Sequence, residues 1–161
     1  FSITMIYLTM RLNSNPKIKA VNLESVNPDF DFNWNDEPSA VSDYSKPKKF
    51  IYEPNSALLK SGAFKLIGQK WGLQKLHINT HLYTSEILLN HFPGKVFEIS
   101  GEIKNPKKEI EKQAFHLLVK NYPLITDSVR KKYKIKEGVE STLIFTQSIS
   151  GKHILLGKRI L

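Results

Sequence analysis

Residues 142–149 and 153–160 are two runs of β-branched and other apolar side chains that meet at Ser150, Gly151 and Lys152. Branching at Cβ favours an extended backbone, and a glycine between two such runs supplies the reversal of a hairpin. A hairpin is marginal in water on its own, so further strands or helices must cover it. The sequence upstream supplies them. Val96, Phe97 and Ile99 predict a strand over 96–103, and residues 106–117 predict a helix with Pro106 in its first turn. A strand follows over 118–122, stopped by Pro123, and then a helix that Thr126 or Asp127 can cap and Gly138 closes. Strand, helix, strand, helix, strand, strand describes an α+β layer with a mixed or antiparallel sheet and packed helices.

The N-terminal part reads differently. Ile3, Thr4, Ile6, Tyr7 and Thr9 favour a strand over residues 1–10, a stretch too short to cross a bilayer. Asn13, Ser14, Asn15 and Pro16 signal a turn, and residues 18–23 can return as a second strand. Phe30, Phe32 and Trp34 alternate in a short extended piece within a polar, proline-punctuated stretch over 28–49, which places a boundary near residue 45. From Asn55 the period changes: Leu58, Leu59, Phe64, Leu66, Ile67 and Trp71 form an apolar stripe that predicts one helix ending at Gly72, with Gly62 and Gly68 inside it and packed close to a neighbour. Residues 76–82 read as short extended or irregular chain, and Thr84 or Ser85 as the cap of a brief helix over 86–89. Phe1 is not an initiator methionine, which points to a start inside a longer protein.

Charge is the strongest functional signal. The formal net charge is +9; residues 1–50 carry six basic against six acidic side chains, and residues 51–161 carry eighteen against nine. Arg130, Lys131, Lys132, Lys134 and Lys136 fall together on or just beyond a predicted helix, and Lys104, Lys107, Lys108 and Lys112 form a second group offset by Glu109 and Glu111. Such surfaces hold phosphates and position a nucleic acid without reading its sequence, so RNA is the partner to consider. Tyr133, with Tyr83 and Tyr122, is a candidate for stacking on bases. A solvated lysine-rich face is the competing explanation.

Other chemistry finds less support. There is no cysteine, hence no disulfide, thiolate metal site or cysteine nucleophile. His77 and His81 are four apart, which brings two imidazoles together only on a helix, and Ile78 stands where a hydrolase motif needs glutamate, so no metal site is expected. His91, His116 and His153 show no partner in the sequence, and no catalytic residues can be assembled. Asn55 and Lys60 flank a helix start whose free amides can hold an anion, or Asn55 simply caps that helix.

Several uncommon runs occur in a recognisable order: Tyr52, Glu53, Pro54 and Asn55; Leu59, Lys60, Gly62, Ala63 and Phe64; His77, Asn79, His81, Leu82, Tyr83 and Thr84; Phe92, Pro93, Gly94, Lys95, Val96 and Phe97; Asn121, Tyr122 and Pro123; and the cluster from Arg130 to Lys136. Over about residues 50–161 these resemble the C-terminal THUMP-like domain of a bacterial family of class I S-adenosylmethionine-dependent methyltransferases. Ala20, Val21, Asn22, Leu23 and Glu24 resemble the end of the small ferredoxin-like domain that precedes it. The chain departs from the family pattern at Glu137, Gly138 and Val139, where paired glycines are common.

The resemblance implies a division into residues 1–45, the end of a ferredoxin-like domain plus linker, and residues 46–161, a THUMP-like domain. It implies S-adenosylmethionine for a parent protein whose methyltransferase domain precedes this chain, and no cofactor for the chain itself. The function expected is a cytoplasmic, non-catalytic substrate-recognition module that binds RNA and works beside its cognate methyltransferase domain, with no membrane partner. The alternative is a docking or oligomerisation module of a methyltransferase acting on a substrate other than RNA.

Overall fold

A computed structural model describes residues 15–22 and 29–161, together with the strand backbone of Thr4–Thr9. In chain order the elements are β1 (Thr4–Thr9), β2 (Lys17–Asn22), β3 (Phe30–Asn33), α1 (Asp36–Ser39), β4 (Phe50–Pro54), α2 (Ser56–Ser61), α3 (Phe64–Trp71), β5 (Gln74–His77), β6 (Thr80–Ser85), β7 (Gly94–Glu102), α4 (Pro106–Glu109), β8 (Ala114–Val119), α5 (Thr126–Tyr133), β9 (Lys136–Ser148) and β10 (Gly151–Arg159). The architecture is α+β: a three-stranded antiparallel sheet β1-β2-β3, and a seven-stranded mixed sheet in the order β5-β6-β4-β7-β10-β9-β8. Only β8 and β9 run parallel, with α5 as the crossover between them.

The N-terminal hairpin forms, with Thr4 opposite Asn22 and Thr9 opposite Lys17; Asn13, Ser14 and Leu23 lie outside the described residues. Phe30 and Phe32 turn inward onto a core that includes Ile18, Ala20, Leu58 and Ile67, while Trp34 is 57% exposed. Phe30 stacks on Trp71 at 5.5 Å between ring centroids. The large sheet curls. Each of its strands gives one residue to a single interior cluster, namely Ile51, Leu76, Leu82, Phe97, Leu118, Ile144 and Leu155. The two ends are drawn together where the Ile149 amide donates to the Leu76 carbonyl (2.8 Å), the Thr80 hydroxyl to the Gln147 carbonyl (3.0 Å) and the Asn121 side-chain amide to Thr80 Oγ1 (2.8 Å). The outer face of the curl is covered in two places: α2 and α3 over Tyr52, Tyr83 and Val96, and α5 over Leu117, Leu143 and Phe145. Burial of each such side chain contributes roughly 1.5–3 kcal/mol before conformational entropy is subtracted.

Four expectations are corrected by this structure. The single helix from Asn55 to Gly72 is two: α2 ends at Gly62, whose φ of +78° is left-handed, and α3 begins at Phe64. The apolar stripe runs on because both helices face the same core. No side chain next to α3 caps it; the Glu37 carboxylate does so from a distance in sequence, accepting from the amides of Lys65 (2.8 Å) and Leu66 (3.0 Å). The helix over 86–89 does not form, because the Tyr52 hydroxyl donates to the Ile87 carbonyl (2.7 Å) and accepts from the Leu89 amide (3.1 Å), holding the segment in a bend. The helix over 106–117 stops at Glu109; Ile110 is buried, Lys112 takes a φ of +63°, and the chain joins the sheet as β8, earlier than the strand expected over 118–122. Finally, α5 ends at Lys134 (φ +53°), not at Gly138. Gly138 lies within β9, where a Cβ would come within 2.7 Å of the Ala114 carbonyl carbon and the Phe115 nitrogen, so the close approach of β8 is what requires glycine there.

Candidate nucleic-acid interface

Val129 and Tyr133, four positions apart on α5, both point into the core, and the helix therefore presents its other side to solvent. Lys131, Lys132, Lys134 and Lys136 are exposed. Arg130 is partly engaged: it pairs with Glu137 at 3.5 Å and donates to the Ile135 carbonyl at 3.5 Å. Tyr133 is not a surface stacking platform. It is 7% exposed and lies against Phe145 with ring centroids 6.2 Å apart, and the Lys132 ammonium sits 5.4 Å from its centroid. Tyr83 is buried with its hydroxyl donating to the Phe64 carbonyl (2.6 Å), and burial raises its pKa far above the usual phenol value. Tyr122 is half-buried edge-on to Phe145.

The second basic group meets the first through the backbone. Asn105 caps α4 by accepting from the Lys108 amide (3.4 Å), which leaves Lys107 and Lys108 exposed, and the Lys104 amide donates to Glu109 (3.1 Å). Directly after α4, the Lys112 amide donates to the Tyr133 carbonyl (3.0 Å) and the Lys136 amide to the Gln113 carbonyl (2.9 Å). The chain at Lys112 thus adjoins the stretch from the end of α5 to the start of β9 that carries Lys134 and Lys136. Two other cations are engaged by a carboxylate: Lys120 (3.1 Å) and Lys95 (3.4 Å) both pair with the buried Glu53. Lys75 is buried too, donates to the Ile78 carbonyl (2.9 Å), and has its pKa lowered by burial.

Asn55 and Lys60 are not brought together. Asn55 Oδ1 accepts from the Leu58 amide (3.0 Å) at the start of α2, and Lys60 is in the last turn, where the helix dipole favours a cation. Asn55 acts as a cap at one end of α2, and Lys60 lies at the other end. His77 and His81 are on different strands: His77 Nδ1 accepts from the Asn79 amide (3.1 Å), and His81 stacks on Phe64 at 3.8 Å, with burial lowering its pKa. Among the described residues no three metal-ligating side chains gather. Among the described residues no helix is long and apolar enough to cross a membrane.

Sequence reasoning missed the surroundings of His153. Its Nδ1 lies 2.6 Å from Glu102 Oε1, and its Nε2 lies 2.8 Å from Ser148 Oγ and 3.2 Å from Ser150 Oγ. Lys104 foremost, and then His153, holds the Glu102 carboxyl below the usual range. Glu102 comes from β7 and the rest from the β9–β10 turn, so only the pairing of β7 with β10 assembles the group. The arrangement has the order of a hydroxyl, imidazole and carboxylate relay. Ser148 is buried, and its Oγ accepts from the Ser150 amide (3.1 Å) and lies 2.9 Å from Ser150 Oγ, so the cluster ties the imidazole to the β9–β10 hairpin.

Residues 50–93 match the family profile of a ferredoxin-like domain, and residues 94–159 match that of a THUMP-like domain. The chain joins a ferredoxin-like domain to a THUMP-like domain. A crystal structure of a candidate methyltransferase from Porphyromonas gingivalis W83 is similar over 89% of this chain, at 35% identity and a TM-score of 0.79. The chain spans 38% of the length of that protein. A comparison with curated proteins gives no significant match. The profiles divide the chain between β6 and β7, within the seven-stranded sheet. Continuous pairing of β4 with β7 spans that division, and the polar stretch before β4 is bound to the sheet edge through the Lys75–Asp43 and Ser45–Lys75 backbone hydrogen bonds. The α4 and α5 lysines all belong to the THUMP-like domain.

Proposed function

We propose that the ferredoxin-like and THUMP-like pair is the RNA-holding, substrate-recognition module of an S-adenosylmethionine-dependent methyltransferase, with Lys107, Lys108, Lys112, Lys131, Lys134 and Lys136 as phosphate contacts. The observation that supports it is the backbone junction of Lys112 with Tyr133 and of Gln113 with Lys136, which sets the chain at Lys112 beside the chain that bears Lys134 and Lys136. The similarity to a methyltransferase candidate more than twice as long supports a separate catalytic domain as the partner in the parent protein. S-adenosylmethionine would be held by that domain. The described residues do not fit it: the connections from β4 to α2, β7 to α4 and β8 to α5 contain no glycine, so none forms the glycine-rich strand-to-helix turn that cradles such a cofactor.

The test is binding of a single-stranded oligoribonucleotide at several salt concentrations. Each phosphate contact released by salt adds about 0.7 to the slope of log affinity against log salt. Lys131→Glu combined with Lys134→Glu should weaken binding and flatten that slope; affinity indifferent to both salt and charge reversal defeats the proposal. One observation favours the second reading, a docking module: Trp34 is 57% exposed beside a cleft of about 300 Å³ shared with Phe32, Pro38 and Lys60. Under that reading Trp34→Ala weakens association with the methyltransferase domain and the lysine variants leave activity intact.

A further inference from the structure

A cleft of about 390 Å³ opens between the segment leading into β4 and the strands β7 and β10. Lys46, Lys48 and Lys49 line one wall, and Gly101, Glu102 and His153 line the other. The structure fixes the lysines' backbone: the Lys48 amide donates to Thr84 Oγ1 (2.8 Å), and the Lys49 carbonyl accepts from the Ile99 amide (2.8 Å). Cations on a held segment lose less entropy on meeting an anion than cations on a loose one.

The acids beside the cleft are already engaged. Glu98 pairs with Lys49 at 3.4 Å, and Glu102 pairs with Lys104 and with His153 Nδ1 at 2.6 Å. Among the described residues Lys46 and Lys48 form no ion pair, so their charge is available to a ligand. A Cβ built at Gly101 would meet nothing within 4 Å, which leaves room at the opposite wall. Two residues beyond Glu102 the chain reaches Lys104 and then the exposed Lys107 and Lys108 of α4.

We propose that this cleft is a phosphate-binding site, at which Lys46 and Lys48 hold a phosphate of the same single-stranded RNA that crosses α4 and α5. The inference rests on the reading of the module as RNA-binding and adds the ferredoxin-side segment before β4 to its contact surface. The ligand is a phosphate group, and inorganic phosphate shares that chemistry.

The experiment uses the full chain and an oligouridylate, with affinity measured by fluorescence anisotropy across a salt series. Lys46→Glu with Lys48→Glu, and separately Lys46→Gln with Lys48→Gln, should lower affinity at low salt by about tenfold or more while the melting temperature holds. Loss of that one phosphate contact should reduce the salt slope by about 0.7. If both cleft variants bind like the parent chain while the Lys131→Glu, Lys134→Glu variant does not, the cleft proposal is overturned and the module still binds RNA. If the unmodified chain binds no RNA, titration with inorganic pyrophosphate decides: shifts at the amide resonances of Lys46, Lys48 and Gly101 uphold a phosphate site filled from solution, and their absence overturns it.

Discussion

Replacing Tyr133 by alanine separates a packed aromatic from a base-stacking one. The ring is 7% exposed, touches the core that contains Val129, Ile135 and Phe145, and anchors the helix that bears the basic residues. Truncating a buried aromatic costs about 3–5 kcal/mol through lost transfer energy and the cavity left behind. The ring pair with Phe145, at 6.2 Å, lies within the range where such pairs contribute ~0.5–1.5 kcal/mol of that total. For a chain of this size each kcal/mol moves the melting temperature by roughly 2–4 °C, so Tyr133→Ala should melt about 6–20 °C lower. Calorimetry or circular dichroism measures the shift, and oligouridylate anisotropy at a temperature where the variant is folded measures binding. A stacking residue behaves in the opposite way, losing about 1–3 kcal/mol of affinity with little change in stability. An unchanged melting temperature with weakened binding would refute the inward placement of Tyr133 and the interface drawn from it.

Gly138→Ala should destabilise the fold by about 1–3 kcal/mol or more, because the new Cβ meets β8 backbone at 2.7 Å and backbone cannot swing aside; a melting temperature equal to the parent's would contradict that contact. Glu37→Ala removes the distant cap of α3 and should cost about 1–2 kcal/mol in urea unfolding, and no loss would mean the amides of Lys65 and Leu66 are satisfied elsewhere. Glu102 has a folded pKa below its unfolded value of about 4.3, so its contribution is complete above that pH and is lost as pH falls through the lower folded value. The stability gap between the parent chain and Glu102→Gln should therefore be present at neutral pH and close in acid; a gap independent of pH would count against the Glu102–Lys104–His153 cluster.

Local patterns that need no distant partner were legible. The β9–β10 hairpin, the strand that became β7, the inward turn of Phe30 and Phe32 and the cap at Asn55 all follow from neighbours a few residues apart, and so does the position of α5. The resemblance identified the THUMP-like and ferredoxin-like pair, and the basic clusters were visible as composition. The helical spacing of Arg130 and Tyr133 did not tell which side faced the core.

What the sequence determined by itself is the set of segments able to be strand or helix and an excess of positive charge in the second part of the chain. Tertiary structure decided where segments stopped and which charges remained free. A helix over 106–117 lost to pairing with β9, α3 took its cap from Glu37, Glu53 engaged Lys95 and Lys120 in ion pairs, and Glu102 found His153 across the sheet. The reason is physical: propensity is worth tenths of a kcal/mol per residue, whereas burial and pairing between distant strands act together in kcal/mol and override it.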